Sequence, residues 1–158
     1  MKPSALSFQP LSRVPHLKPV VATWLLSEWP AWYGVGGAGD LTSDVNAFAA
    51  SEVDLPVGII AFEEEVPVGF GALKKESIGT HTHLTPWAAA GFVDPDRRGQ
   101  GIGCALLKAL VEHARGLGHA SVYCGTSTAV TLLQRAGWRE IEQVLYANKP
   151  LSVFRGGA

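Results

Sequence analysis

Cysteine is scarce: Cys104 and Cys124 are the only two in 158 residues. They are too few and too widely spaced for a disulfide framework or a Cys-x-x-Cys metal site. Their neighbours Gly103, Ala105, Tyr123 and Gly125 supply no electropositive surrounding that would activate a thiol, so both read as packed free thiols. Charge of one sign is lacking too. Thirteen basic against fourteen acidic side chains leave a formal net charge of -1, which gives no electrostatic footprint for nucleic acid or an anionic membrane. No apolar run approaches the roughly 18 residues that suggest a membrane span. Met1-Lys2-Pro3-Ser4 lacks the apolar region of a secretory leader. A cytoplasmic protein without nucleic-acid or membrane partners is expected.

What is present is enough apolar material for a core. Hydrophobic residues make up 47% of the chain and charged ones only 17%, so burial can offset chain entropy and the chain reads as globular. The length fits one domain, residues 1–158. Internal repeats and low-complexity tracts are absent.

Hydrophobic spacing gives the element order. Leu6 to Pro10 reads as a strand, and His16 to Glu28 as a helix through Leu17, Val20, Val21, Trp24 and Leu25. A Trp-, Tyr-, Gly- and Pro-rich loop from Trp29 to Asp40 follows, and Thr42 or Ser43 caps a second helix ending near Glu52. Val57 to Phe62 and Pro67 to Leu73 form a hairpin across Glu63-Glu64-Glu65, and Leu84 to Val93 is a strand stopped by Asp94-Pro95-Asp96. Gly101 to Leu117 is the strongest helix, with an apolar stripe of Ile102, Ala105, Leu106, Ala109, Leu110, Ala114 and Leu117. The strand Ala120 to Cys124, a short helix Thr128 to Ala136, and strands Glu140 to Ala147 and Leu151 to Phe154 complete a mixed α/β fold (α+β mixed sheet) of order βααβββαβαββ.

The chemistry sits where the strand ending at Val93 meets the long helix. Between them runs Asp94-Pro95-Asp96-Arg97-Arg98-Gly99-Gln100-Gly101-Ile102-Gly103. Three glycines at alternate positions let the backbone approach a ligand. The unpaired N–H groups and positive dipole end of a helix favour a phosphate there. The same glycines also suit a plain strand-to-helix turn. A dinucleotide fingerprint is excluded because Cys104 follows Gly103 where the third glycine spacing fails, and a P-loop because no Gly-Lys-Ser/Thr follows.

Arg98-Gly99-Gln100-Gly101-Ile102-Gly103 resembles the signature of the GNAT superfamily of N-acetyltransferases: Arg or Gln, two residues, Gly, one residue, Gly or Ala. Trp87 to Val93 before it, the helix after it, and Leu132-Leu133-Gln134-Arg135-Ala136-Gly137-Trp138 extend the likeness to about half the chain. The resemblance implies the GNAT-type acyl-CoA acyltransferase fold and acetyl-CoA as cosubstrate, with no metal. Main-chain amides of Arg98, Gly99, Gln100, Gly101, Ile102 and Gly103 would hold its pyrophosphate. Phe92 and Val93 would pair with the pantetheine arm, and a bulge near Gly91 would open the cleft. It implies transfer of the acetyl group to a primary amine, on a small molecule or a peptide N-terminus, by direct attack in a ternary complex. Some relatives dimerise through terminal strands, so Glu140 to Phe154 is the expected seam of a homodimer.

Two family positions depart from the pattern. The tyrosine that protonates the leaving thiolate in many members is Leu133 here, and the position that can hold a base glutamate is Trp87. Tyr146 or Tyr123 can stand in as acid and His83, beside His81, as base. Glu28, Trp29 and Trp32, with Tyr33 and Trp87, are the candidate acceptor wall, since aromatic faces and a carboxylate suit a cationic amine. The competing reading is a non-catalytic acyl-CoA-binding module with a degenerate active site.

Overall fold

The computed structural model describes residues 5–157. The N-terminal stretch 1–4, read above for a leader, lies outside them. Seven strands make one mixed sheet in the order β1-β2-β3-β4-β5-β7-β6. They are β1 Leu6–Pro10, β2 Val57–Glu63, β3 Val66–Lys74, β4 Trp87–Val93, β5 Ser121–Thr126, β6 Arg139–Tyr146 and β7 Lys149–Gly157. Every neighbouring pair is antiparallel except β4 and β5. The helices are α1 Lys18–Glu28, α2 Pro30–Tyr33, α3 Leu41–Phe48, α4 Ile102–Gly116 and α5 Val130–Arg135.

Both faces of the central strands are covered, which is why β2 and β3 read as nearly continuous apolar runs. Ile60, Phe70 and Ala72 point to one face and pack against Val21 and Leu25 of α1 and Val45 and Phe48 of α3. Their neighbours in alternate phase, Ile59 and Leu73, point the other way into Leu107, Leu110 and Ala114 of α4 and Leu133 of α5. The apolar stripe predicted on α4 is therefore the face laid on the sheet.

Several boundaries move for local reasons. The aromatic loop after α1 contains the one-turn helix α2, started by Pro30, whose ring supplies a helical φ at the first position. Asp40 caps α3 instead of Thr42 or Ser43: its Oδ1 accepts from the Ser43 amide at 3.0 Å. The strand expected from Leu84 begins only at Trp87, behind a 3₁₀ turn at Gly79–His81. The last strand is longer than expected because β7 pairs on both sides, with β5 and with β6. That places β6 at the sheet edge. Among the described residues no helix is long and apolar enough to cross a membrane.

Candidate functional site

The site begins as a defect in the sheet. β4 and β5 share a single parallel rung, Trp87 with Tyr123, and then separate. On its other side β4 shifts register against β3 between Phe70 and Ala72, and Ala90 takes a left-handed φ of 55°. This is a bulge, in which Ala90 and Gly91 together stand opposite Gly71. It turns β4 away from β5 and opens a cleft of about 920 Å³.

The glycine loop closes one end of the cleft. Gly99 and Gly101 hold φ of 80° and 84°, a region a side chain enters only with strain. A Cβ at either would meet open space, so the backbone there faces the cleft bare. Gly101 caps the 15-residue α4 without any side-chain hydrogen bond, and no acidic residue sits in the first turn. The first-turn amides thus keep their donors free, aimed by the helix dipole at whatever anion enters.

The arginines beside the loop are already engaged. Arg97 Nη1 lies 2.7 Å from Glu63 Oε1 at the hairpin turn. Arg98 donates through Nε to the Val93 carbonyl at 2.9 Å and through Nη2 to Glu28 at 3.3 Å, with its guanidinium 5.6 Å from the centre of the Phe92 ring. Phe92 in turn stacks on Trp24 at 5.2 Å. Together these contacts tie the loop to α1.

The other end of the cleft is walled by α1, α2 and α3. Glu28, Trp29, Trp32, Tyr33, Asp44 and Phe48 line it. Trp29 is 37% and Trp32 51% exposed, so neither is spent on the core. The Tyr33 hydroxyl donates to Asp44 Oδ2 at 2.7 Å. Burial first, and that bond second, holds the Tyr33 phenol well above the usual tyrosine range. Asp44 and Lys74, which also line the cleft, were not singled out in the sequence: they lie on α3 and β3 and join Tyr33 of α2 only in the fold.

Of the sequence candidates for cofactor contact, Phe92, Val93, Arg98, Gly99, Gly101, Ile102 and Gly103 line the cleft, whereas Gln100 is exposed outside its lining. Four other candidates lie outside the cleft lining. Trp87 is not an acceptor wall: it is fully buried among Ile78 and Val153, and its indole donates to the Leu84 carbonyl at 2.7 Å. His83 does not reach the cleft lining. It stacks on His81 at 5.7 Å within the 81–83 turn, where His81 is held by Thr80 and, at 3.0 Å, by Glu142. Tyr146 sits at the far end of the β6–β7 hairpin opposite Lys149 and is 54% exposed, outside the cleft lining. Tyr123, the other candidate acid, packs against the Trp87 ring and is likewise no part of the lining.

Among the described residues that line the cleft there is no histidine. Leu133, where an acid was looked for, is 1% exposed. Cys124 lines the cleft, but burial pushes its thiol up to about 11, so it stays protonated. Thr126 uses its hydroxyl to accept from the Thr128 and Ala129 amides at 3.1 and 2.9 Å. Among the described residues there is no cluster of three His, Cys, Asp or Glu that can hold a metal ion.

Comparison with known proteins adds the following. The model of the acetyltransferase (GNAT) family matches residues 20–138. No curated protein sequence matches the chain. The fold is similar to an aminoglycoside 6'-N-acetyltransferase solved with coenzyme A, at TM-score 0.77, 17% identity and 96% coverage of both chains. It is similar to the aminoglycoside 6'-N-acetyltransferase of Enterococcus faecium at TM-score 0.74, 17% identity and 96% coverage of both chains. It also resembles yncA of Salmonella typhimurium, solved with its cofactor acetyl-CoA, at TM-score 0.67 and 16% identity, covering 97% of this chain and 94% of that one.

Proposed function

Because this chain belongs to the acetyltransferase (GNAT) family, we propose that it binds acetyl-CoA in the β4–β5 cleft and transfers the acetyl group to a primary amine in a ternary complex. One observation carries the reading: a long helix with a bare glycine cap and free first-turn amides opens directly onto a gap in the sheet. That is the donor set a pyrophosphate needs. The gap beside β4 leaves the strand's outer edge free to pair with an extended ligand arm. Solved structures of the same fold that hold coenzyme A or acetyl-CoA support the choice of ligand.

In this reading the amides of Gly99, Gly101, Ile102 and Gly103 hold the pyrophosphate, and the Gln100 amide joins them although its side chain points to solvent. Phe92 and Val93 offer main-chain partners to the pantetheine arm. Acetyl-CoA supplies an activated acyl thioester. The β4 backbone at the bulge presents an amide to its carbonyl oxygen. The acceptor nitrogen attacks the carbonyl carbon directly: the C–N bond forms, the C–S bond breaks, and the electron pair leaves on sulfur. Holding the two reactants side by side does much of the work. The ammonium gives one proton to water in the cleft before attack; the nitrogen sheds its second as the tetrahedral intermediate collapses, and that proton is taken up by the departing thiolate, of solution pKa about 8.5, so the products are the amide and the free thiol of coenzyme A.

The second reading, a non-catalytic acyl-CoA-binding module, is favoured by the burial of both Leu133 and Trp87 at the positions where acid and base were sought. Turnover separates the two. Acetyl-CoA is incubated with the protein and a panel of amines and peptide N-termini while free thiol is followed, with Gly101→Glu as control. Amine-dependent release abolished by the substitution establishes the transferase. Tight acetyl-CoA binding with no amine-stimulated release establishes the module, and absence of binding overturns both.

A further inference from the structure

The charge of the cleft as a whole differs from what a polycationic substrate requires. Its lining holds two carboxylates, Glu28 and Asp44 at the acceptor end, and four cations, Arg97 and Arg98 beside the glycine loop, Arg135 on α5 and Lys74 on β3. Glu28 is already bonded to Arg98. Asp44 gives one oxygen to the Tyr33 hydroxyl, and its Oδ1 has no partner among the described residues. One carboxylate oxygen is thus free to receive one ammonium. Lys74, with no carboxylate partner among the described residues, faces the same space and repels a second.

Aromatic groups line the same end of the cleft. Trp32 is gripped by the loop that follows it: the Gly39 amide donates to the Trp32 carbonyl at 2.8 Å, and a Cβ on Gly39 would stand 2.4 Å from the indole nitrogen. Any side chain at Gly39 would therefore displace the ring. Trp29 and Tyr33 belong to the same short turn around α2, since the Tyr33 amide donates to the Trp29 carbonyl at 3.0 Å. The Trp32 indole is thus braced by its loop and, with Trp29, stands partly exposed in the cleft lining, where leaving them in water carries a cost that a flat apolar ligand removes.

Resting on the transferase reading above, we propose that the acceptor is a monoamine with an aromatic or similarly flat apolar body, its ammonium on Asp44 and its ring against Trp29 and Trp32. Polyamines and aminoglycosides are disfavoured, even though solved neighbours of the fold act on aminoglycosides. Tyr33 and the Gly39 contact are positioning elements: one orients the carboxylate, the other the indole.

The test measures binding apart from turnover. Tryptophan fluorescence of the coenzyme-A-loaded protein is titrated with 2-phenylethylamine, spermidine and kanamycin, and thiol release from acetyl-CoA is followed with the same three amines. Saturable quenching by 2-phenylethylamine at lower concentration than by either polycation is expected. Asp44→Asn should weaken it about tenfold, the usual scale of a charge-assisted hydrogen bond. Trp32→Ala should weaken it without altering coenzyme A affinity. Tyr33→Phe, which frees the carboxylate from the bond that orients it, should weaken binding less than Asp44→Asn does, and Thr42→Ala, exposed on α3 and outside the cleft lining, should leave it unchanged, which controls for general damage to that helix. Equal or tighter binding of spermidine or kanamycin overturns the proposal, as does Asp44→Asn binding with unchanged affinity. Binding of 2-phenylethylamine without thiol release supports the ligand class while overturning the catalytic reading on which it was built.

Discussion

Arg98 and Glu28, 70 residues apart in the chain, meet at 3.3 Å and join the glycine loop to the last residue of α1. Since Glu28 also lines the acceptor end, the contact links the two halves of the proposed site. As an exposed pair it contributes at most about 1 kcal/mol to stability, so its effect should be on ligand binding. Arg98→Ala also removes the bond to the Val93 carbonyl and the guanidinium beside Phe92. It is expected to raise the acetyl-CoA Kd about tenfold by calorimetry, while Glu28→Gln leaves it within about twofold. Equal effects of the two substitutions would show that the ion pair, and not the arginine's hold on β4, sets the loop.

Cys124 provides a chemical test of the cleft. With its thiol pushed up to about 11, only about one molecule in a thousand carries the reactive thiolate at pH 8. Iodoacetamide should therefore modify Cys124 in the native protein far more slowly than in urea, read by mass spectrometry of the tryptic peptides. Cys104 also lines the cleft, and saturating coenzyme A should protect it. Rapid native labelling of Cys124, or Cys104 labelling indifferent to the ligand, would place the thiols elsewhere.

Tyr33 links stability to alkaline pH. Its folded pKa is raised by burial and by the bond to Asp44, so the folded state holds the phenolic proton more tightly than the unfolded chain. The resulting stabilisation is fully present below the unfolded value of about 10 and is lost as pH rises above it. Urea midpoints measured from pH 8 to 11 should fall at the alkaline end, and Tyr33→Phe should flatten that fall. An equally steep decline in the variant would assign it to other groups.

Gly156 meets the flat side of a tryptophan. A Cβ there would stand 2.2 Å from Trp138 Cε2, and Trp138 is 6% exposed beneath α4 and α5. Gly156→Ala should destabilise by about 2–3 kcal/mol through overpacking, seen as a lower urea midpoint. Gly79→Ala, with nothing within 4 Å of its Cβ, should leave the midpoint within about 0.5 kcal/mol.

The glycine loop was legible because its chemistry is main-chain: Gly99, Gly101 and Gly103 announce a backbone that must come close to something, and the apolar stripe after them announces the helix. The covered faces of β2 and β3 were legible for a similar reason, as unbroken apolar runs. The acceptor side was only half legible. Glu28, Trp29 and Trp32 stood out by composition, but Asp44 looks like any polar residue in the first turn of a helix, and its pairing with Tyr33 needs α2 and α3 in place. Trp87, His83 and Tyr146 were misplaced because period-two reasoning tells which residues share a side of a strand, not where the strand starts. The strand starts at Trp87, leaving His83 in a turn, and β6 is an edge strand that carries Tyr146 to the turn of the β6–β7 hairpin.

The single rung between β4 and β5 has a mechanical side. β1 through β4 form one antiparallel panel and β5, β7 and β6 another, joined edge to edge through Trp87 and Tyr123 and spanned by α4, which rests on Ala88 of one panel and Val122 of the other. A ligand lying along β4 would act as a splint between the panels. Slowed solvent exchange of the amides from Ala88 to Val93, together with an unchanged rate within β2, would register that splinting directly, without reference to catalysis.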